Sequence, residues 1–384
     1  MTQSKGPEIS PFIVMEVMKA AAMREEQGGE VIHMEVGQPG TKAPAKVLAA
    51  ARAALDQQLI GYTGALGIPE LREAISRHYR DFYGATVPAN RIIVTTGSSG
   101  AFLLSFLSAF KTGDRVVLAE PGYPAYRNIL TALGRSPLGL PCGAETNFQP
   151  TPELLDRLDE PLQGLLVASP SNPTGTMIHE REMRALVDYC KDRGLQFISD
   201  EIYHGICYDE AAVTALQFTD EAIVINSFSK FFSMTGWRLG WMVVPERLLD
   251  LCEKLAQNLF ISPPALSQYA AVAAFDCHDE IAANVAVYAR NRDLLLREFP
   301  KLGLSRLAAA DGAFYLYADV RDYTNDSVEF CKRMLHETGV AATPGVDFDP
   351  HRGHVYVRFS FAGTTEAMER AVAALKNWPA LRKS

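Results

Sequence analysis

Two hydrophobic rhythms alternate along the chain. Short runs apolar on both faces, Arg91–Thr95 (RIIVT), Arg115–Leu118 (RVVL), Leu165–Ala168 (LLVA), Gln196–Ser199 (QFIS), Ile223–Asn226 (IVIN) and Trp241–Val244 (WMVV), read as strands buried between helical layers. Stretches at helical spacing lie between some of them; Met183, Leu186, Val187 and Cys190 share one face. Another helix is expected from Pro69 through LREAISRHYRDFY to a stop at Gly84, because proline suits a first turn and glycine the position past the end. Strands and helices in alternation predict an α/β fold, a mostly parallel sheet covered on both sides.

The rhythm changes near residue 278. A long helix over Glu280–Phe299 leads to FYLYADV, a helix over Ser327–Thr338, a strand at Val355–Phe361 and a closing helix. The expected division is a large domain over 45–277 and a smaller α+β domain assembled from 1–44 and 278–384, with a ligand cleft between them.

Composition narrows the function. With 384 residues, 48% hydrophobic and 21% charged, the chain is globular and long enough for two domains. Its net charge of −8 is spread along the sequence without a basic stripe, which argues against nucleic acid or an anionic membrane as partner. No apolar run approaches the ~20 residues a bilayer span needs. The opening MTQSKGPEISPFIVMEV lacks an uninterrupted apolar core with a cleavage site, so no secretory signal is expected. Six scattered cysteines without a C-x-x-C pair suit reduced thiols and a cytoplasmic location. His351 and His354 lack a third ligand nearby in sequence, so no metal is expected.

Several polar residues stand where the apolar pattern ends. Lys230 follows a buried strand in NSFSKFFSMTGWRLG, and Arg238 lies eight residues on with Gly236 and Gly240 either side. A lysine there is ordinarily a solvated strand end, and Asp200 after QFIS is ordinarily a turn residue. Thr96–Gly100 (TGSSG) falls between a strand and a helix, where free N–H groups and the helix dipole suit an anion. It matches neither G-x-x-x-x-G-K-[ST] nor G-x-G-x-x-G, which removes the main support for nucleoside triphosphates and dinucleotides. Arg358, mid-strand in VYVRFSF between apolar neighbours, is better explained by a functional role than by surface exposure.

Together these motifs resemble the class I/II aminotransferases, which are fold-type I pyridoxal 5′-phosphate enzymes. Their signature S-x-[ST]-K followed by G-x-R-x-G matches around Lys230 and Arg238. VGQP (36–39), YTGALGIPELR (62–72), TGSSGA (96–101), PGYPAY (121–126), SNPTG (171–175), DEIY (200–203) and VRFSF (357–361) occur in the family's order over nearly the whole chain. The resemblance implies a cofactor carried by Lys230 as a Schiff base (the internal aldimine), with the freed amine then acting as general base. It implies that Asp200 pairs with the pyridine nitrogen, that Asn172 and Tyr203 hydrogen-bond the phenolate oxygen, and that Tyr123 stacks on the ring. Ser98, Ser99, Ser227 and Arg238 would hold the phosphate, and Arg358, with Gly37 and Asn172, the substrate α-carboxylate. Tyr62 would reach the phosphate of a neighbouring subunit, making a homodimer with shared sites.

The same resemblance implies substrates of amino acid and 2-oxo acid type. Many bacterial aspartate aminotransferases carry a lysine where this chain has Ser99, and the segment Ser10-Pro11-Phe12-Ile13 expected over the substrate offers no cation. A neutral or hydrophobic donor is therefore expected, with 2-oxoglutarate or pyruvate as acceptor. The alternatives are a C–S lyase, racemase or decarboxylase on the same scaffold, or a non-catalytic cofactor-binding regulator. Against the regulator, Gly37 comes too early to leave room for a preceding DNA-binding domain.

Overall fold

The structure, a computed structural model, describes residues 6, 7 and 9–381. The ends of the expected small domain, residues 1–5, 8 and 382–384, lie outside the described residues. The chain opens with α1 (Ile13–Glu26), β1 (Ile32–His33), α2 (Ala45–Gln57) and α3 (Pro69–Tyr83). An alternation follows: β2 (Ile92–Thr95), α4 (Gly97–Ala109), β3 (Arg115–Glu120), α5 (Pro124–Ala132) and β4 (Ser136–Pro141). It continues through α6 (Pro152–Leu155), β5 (Gly164–Ala168), α7 (Glu180–Arg193), β6 (Gln196–Asp200), β7 (Ile223–Ser227) and β8 (Gly240–Val243). Helices α8 (Leu249–Leu259), α9 (Ala265–Ala271) and α10 (His278–Glu298) come next. The chain closes with β9 (Tyr315–Asp319), α11 (Ser327–Thr338), β10 (Val340–Ala341), β11 (Thr343–Pro344), β12 (Tyr356–Ser360) and α12 (Thr365–Lys376).

Seven strands form one sheet in the order β2-β8-β7-β6-β5-β3-β4. Successive residues of each strand face opposite layers. Ile198, Ile225 and Met242 enter a core with Phe102 and Phe106, while Phe197, Val224 and Trp241 enter another with Leu165 and Leu186. Burial on both sides is why these runs carry no polar alternation. The sheet is parallel from β7 to β4, but β8 runs antiparallel to both β2 and β7. The edge strand β4 (SPLGLP) escapes the hydrophobic pattern because proline and glycine are tolerated at an edge. Helix α3 ends as expected, with Gly84 left-handed at φ 66°.

The C-terminal part holds a second sheet, β11-β12-β9, in which Arg358 of β12 lies opposite Tyr317 and Thr343. Strand β1 pairs in parallel with β10, which ties the N-terminal segment to this part of the chain. The site forms where the carboxyl ends of β5, β6 and β7 face β11 and β12.

Candidate active site

A cavity of about 220 Å³ opens at those strand ends, and its lining includes Lys230, Arg238, Arg358, Asn172 and Tyr203. Asp200, the last residue of β6, is buried just behind it. One carboxylate oxygen accepts from Tyr126 Oη, the other from the Ile202 N–H at 3.1 Å. Burial raises the Asp200 carboxyl to about 6, although the hydroxyl of Tyr126, the Ile202 amide and Lys230 all favour its charge.

Lys230 stands three residues past the end of β7, and its Nζ donates to the Gly37 carbonyl at 2.6 Å. Loss of solvent lowers its pKa to about 8; Arg358 and Arg238 push the same way and Asp200 opposes them. Gly37 has no room for a side chain, since a Cβ there would lie 1.8 Å from Tyr315 Oη.

Two corners rich in hydrogen-bond donors flank the lysine. At one, α4 begins at Gly97, so its first N–H groups lack helical partners, and Ser98 and Ser99 sit in that turn facing the cavity. Arg238 adopts φ 52°, a costly backbone conformation for a large side chain. Its guanidinium lies against Gly97, where a Cβ would meet Nη2 at 2.6 Å. At the other corner Arg358 donates to Asn172 Oδ1 at 2.8 Å, to Thr343 Oγ1 at 3.1 Å and to the Glu35 carbonyl. Its guanidinium is sandwiched 4.5 Å from the Tyr315 ring centroid and 4.7 Å from that of Phe348. Arg358 is 3% exposed, yet its Nε has no partner among the described residues.

Most of the residues expected from sequence meet here. Gly37, Ser98, Ser99, Tyr123, Asn172, Tyr203, Lys230, Arg238 and Arg358 all line the cavity. Ser227 does not: its Oγ donates to the Leu239 carbonyl and accepts from the Ser229 N–H, and Ser229 lines the wall in its place. Tyr62 lies away from the cavity lining and is 85% exposed. Two residues were not singled out from sequence. Tyr126 sits one helical turn after Tyr123 and bonds Asp200, while Tyr315 shares a 2.6 Å hydrogen bond with Tyr203 and stacks on Arg358. The tyrosines of PGYPAY and FYLYADV were visible as motifs, but their partners were not.

A lysine and two arginines thus converge on one cavity, with a buried carboxylate just behind it. The chain belongs to the aminotransferase class I and II family, whose model matches residues 29–375. It is 50% identical to the valine–pyruvate aminotransferase of Mycobacterium tuberculosis over 96% of both chains. A crystal structure of an aminotransferase from the same organism superposes with a TM-score of 0.95 at 50% identity, over 96% of this chain and 97% of that one. A putative aminotransferase from Silicibacter pomeroyi follows at 0.92 and 50%, over 98% of each chain. The fold is that of the fold-type I aminotransferases, and the protein is a transaminase acting on amino and 2-oxo acids.

Proposed function

We propose that the enzyme works with pyridoxal 5′-phosphate at Lys230 and takes its amino group from a neutral, apolar L-amino acid. The fit of the cofactor rests on the donor set. The first-turn amides of α4, with Ser98, Ser99 and Arg238, suit a phosphate. Asp200 suits a protonated ring nitrogen, and Asn172 with Tyr203 suits a ring oxygen. Bound there, the cofactor supplies a carbon that joins to amines and a ring that draws electrons from the substrate Cα.

The chain's own residues do the rest. Arg358 takes the α-carboxylate in a bidentate grip and so orients the Cα–H bond. Its polar neighbours keep the guanidinium fixed before substrate arrives. Lys230 Nζ, lowered to about 8, is neutral in a useful fraction near physiological pH and removes the Cα proton. Tyr123 forms an aromatic wall, braced edge-on by Tyr126 at 5.3 Å and 78°.

The single observation that carries the donor class is the opposite wall: Phe12, Val14, Met15 and Met18 line the cavity. Among the described residues its cations are Lys230, Arg238 and Arg358, all engaged above, so a distal carboxylate would lack a counter-charge. The name of the tubercular relative, valine–pyruvate aminotransferase, agrees with an apolar donor. A homodimer in which Tyr62 serves the partner's site is supported by the exposed cluster Leu59, Ile60 and Tyr62.

The test is an absorbance spectrum of the purified enzyme before and after single amino acids, with Lys230→Ala as control. A visible band that bleaches with valine, leucine or alanine and releases the 2-oxo acid is expected. Aspartate outperforming every neutral donor would overturn the donor class, and no band after adding the cofactor would overturn its use.

A further inference from the structure

Helix α1 forms one wall of the cavity, yet it starts without a cap of its own. The residue before its first turn, Phe12, has no side-chain oxygen for the free amides. The acceptor comes from 334 residues away: Asp347 Oδ1 accepts from the Ile13 N–H at 3.0 Å, and Oδ2 from the Val14 N–H at 3.3 Å. Asp347 is 3% exposed, so these are charge-assisted bonds shielded from water.

Apolar packing cannot satisfy the free amides at that end, which need an acceptor. The buried residues of α1 are Val14 and Ala21, and its apolar anchor (Val17 and Ala21 on Leu335 and Ala341) lies one to two turns further on. The first two turns carry the wall: Phe12, Val14, Met15 and Met18 face the cavity, and Phe12 packs edge-on to Tyr123 at 5.8 Å. Met15 and Met18 are unbranched and flexible, so backbone position rather than side-chain shape sets where that wall stands.

Asp347 belongs to a turn, Gly345–Asp347, that touches the other walls as well. The next residue, Phe348, lies on the Arg358 guanidinium, and its carbonyl accepts from the Gly122 N–H at 3.0 Å, beside Tyr123. One short turn thus references the helix to both the carboxylate grip and the aromatic wall.

We propose that Asp347 is a positioning residue for donor selectivity: it caps α1 across the fold and thereby fixes the space left for the donor's side chain. This inference rests on the apolar-donor reading above. It separates Asp347 from a general stabiliser, because α1 meets the side chain and Arg358 the carboxylate. The loss on removing the cap must therefore grow with donor size.

The test compares wild type, Asp347→Asn and Asp347→Ala as holoenzymes, with alanine, valine and leucine as donors. Asp347→Ala is expected to raise the KM for leucine about tenfold, the scale of a lost charged hydrogen bond, and that for alanine less than about twofold. The kcat values and the cofactor band should hold, and Asp347→Asn, which keeps one acceptor, should fall between. Hydrogen exchange gives a readout without turnover: amides in residues 13–18 should exchange about tenfold faster in Asp347→Ala while β12 is unchanged. Unchanged exchange in α1, an equal loss for alanine and leucine, or loss of the cofactor band would each overturn the assignment. A wild type that shows no band would instead sink the cofactor reading, and the exchange comparison would still decide the cap.

Discussion

Removing one hydroxyl should move the pH range over which the enzyme holds the proposed pyridoxal 5′-phosphate. Tyr126 donates to the Asp200 carboxylate in a fully buried setting, and after burial itself this bond is the largest influence on Asp200. A hydrogen bond to a charged acceptor is worth ~1.5–3 kcal/mol, and one pKa unit is ~1.36 kcal/mol. Tyr126→Phe should therefore raise Asp200 from about 6 by roughly one to two units. The ring itself remains, packed against Phe102 at 5.0 Å, so the fold should be kept. The sign follows from charge. Below its pKa the carboxyl is neutral and cannot hold a protonated ring nitrogen, so affinity for pyridoxal 5′-phosphate falls about tenfold per unit. The assay is the cofactor dissociation constant against pH, by absorbance, in a Lys230→Ala background that removes the lysine's own titration. The acid limb of Tyr126→Phe should lie at least about one unit above its reference. Coincident limbs would refute the assigned role of Tyr126.

Three other outcomes follow from the same geometry. Covalent capture of the cofactor by Lys230 should accelerate with pH as the neutral amine appears and level off near 8, where an ordinary lysine would keep rising beyond ~10; rapid-mixing absorbance reads this, and a plateau only above ~10 contradicts it. Arg358→Ala should raise the KM for amino donors by roughly 10² or more, because a buried charge pair loses ~2–5 kcal/mol when one partner goes; an unchanged KM for alanine would exclude Arg358 as the carboxylate grip. Glu201, buried beside Asp200, is raised to about 8 by burial from an ordinary 4.5, so the folded chain keeps a proton that the unfolded chain releases. Stability from this group is then full below 4.5 and declines as pH climbs through 8, and Glu201→Gln should flatten the fall in melting temperature between pH 6 and 9. Equal slopes in the two proteins would contradict it.

What could be read from sequence was what repeats locally. Helix α3 announced both its ends through Pro69 and Gly84, and a helix was expected near Ser327–Thr338, where α11 lies. The strands showed themselves as apolar runs because both faces are buried, but that same uniformity hides direction, so the reversed β8 looked like its parallel neighbours. The corner arginines stood out because a guanidinium is misplaced in apolar or glycine-rich surroundings unless something anionic arrives. Contacts made across the fold left no such trace. Tyr203 meets Tyr315 over 112 positions, and Asp347 caps a helix over 334. Ser227 shows the limit in reverse: its motif places it at the end of β7, yet only the fold reveals that its hydroxyl turns to Leu239, behind the cavity wall.

The charge of the cleft runs against that of the chain. The protein carries −8 overall, yet its cavity gathers Lys230, Arg238 and Arg358, with the buried Asp200 just behind them. In a low-dielectric cleft like charges repel strongly, and the lysine, the one cation able to shed its proton, yields first. Burial is the main reason the Lys230 amine leans toward its neutral form, and the two guanidinium groups push the same way. An anion in either corner would relieve part of that push.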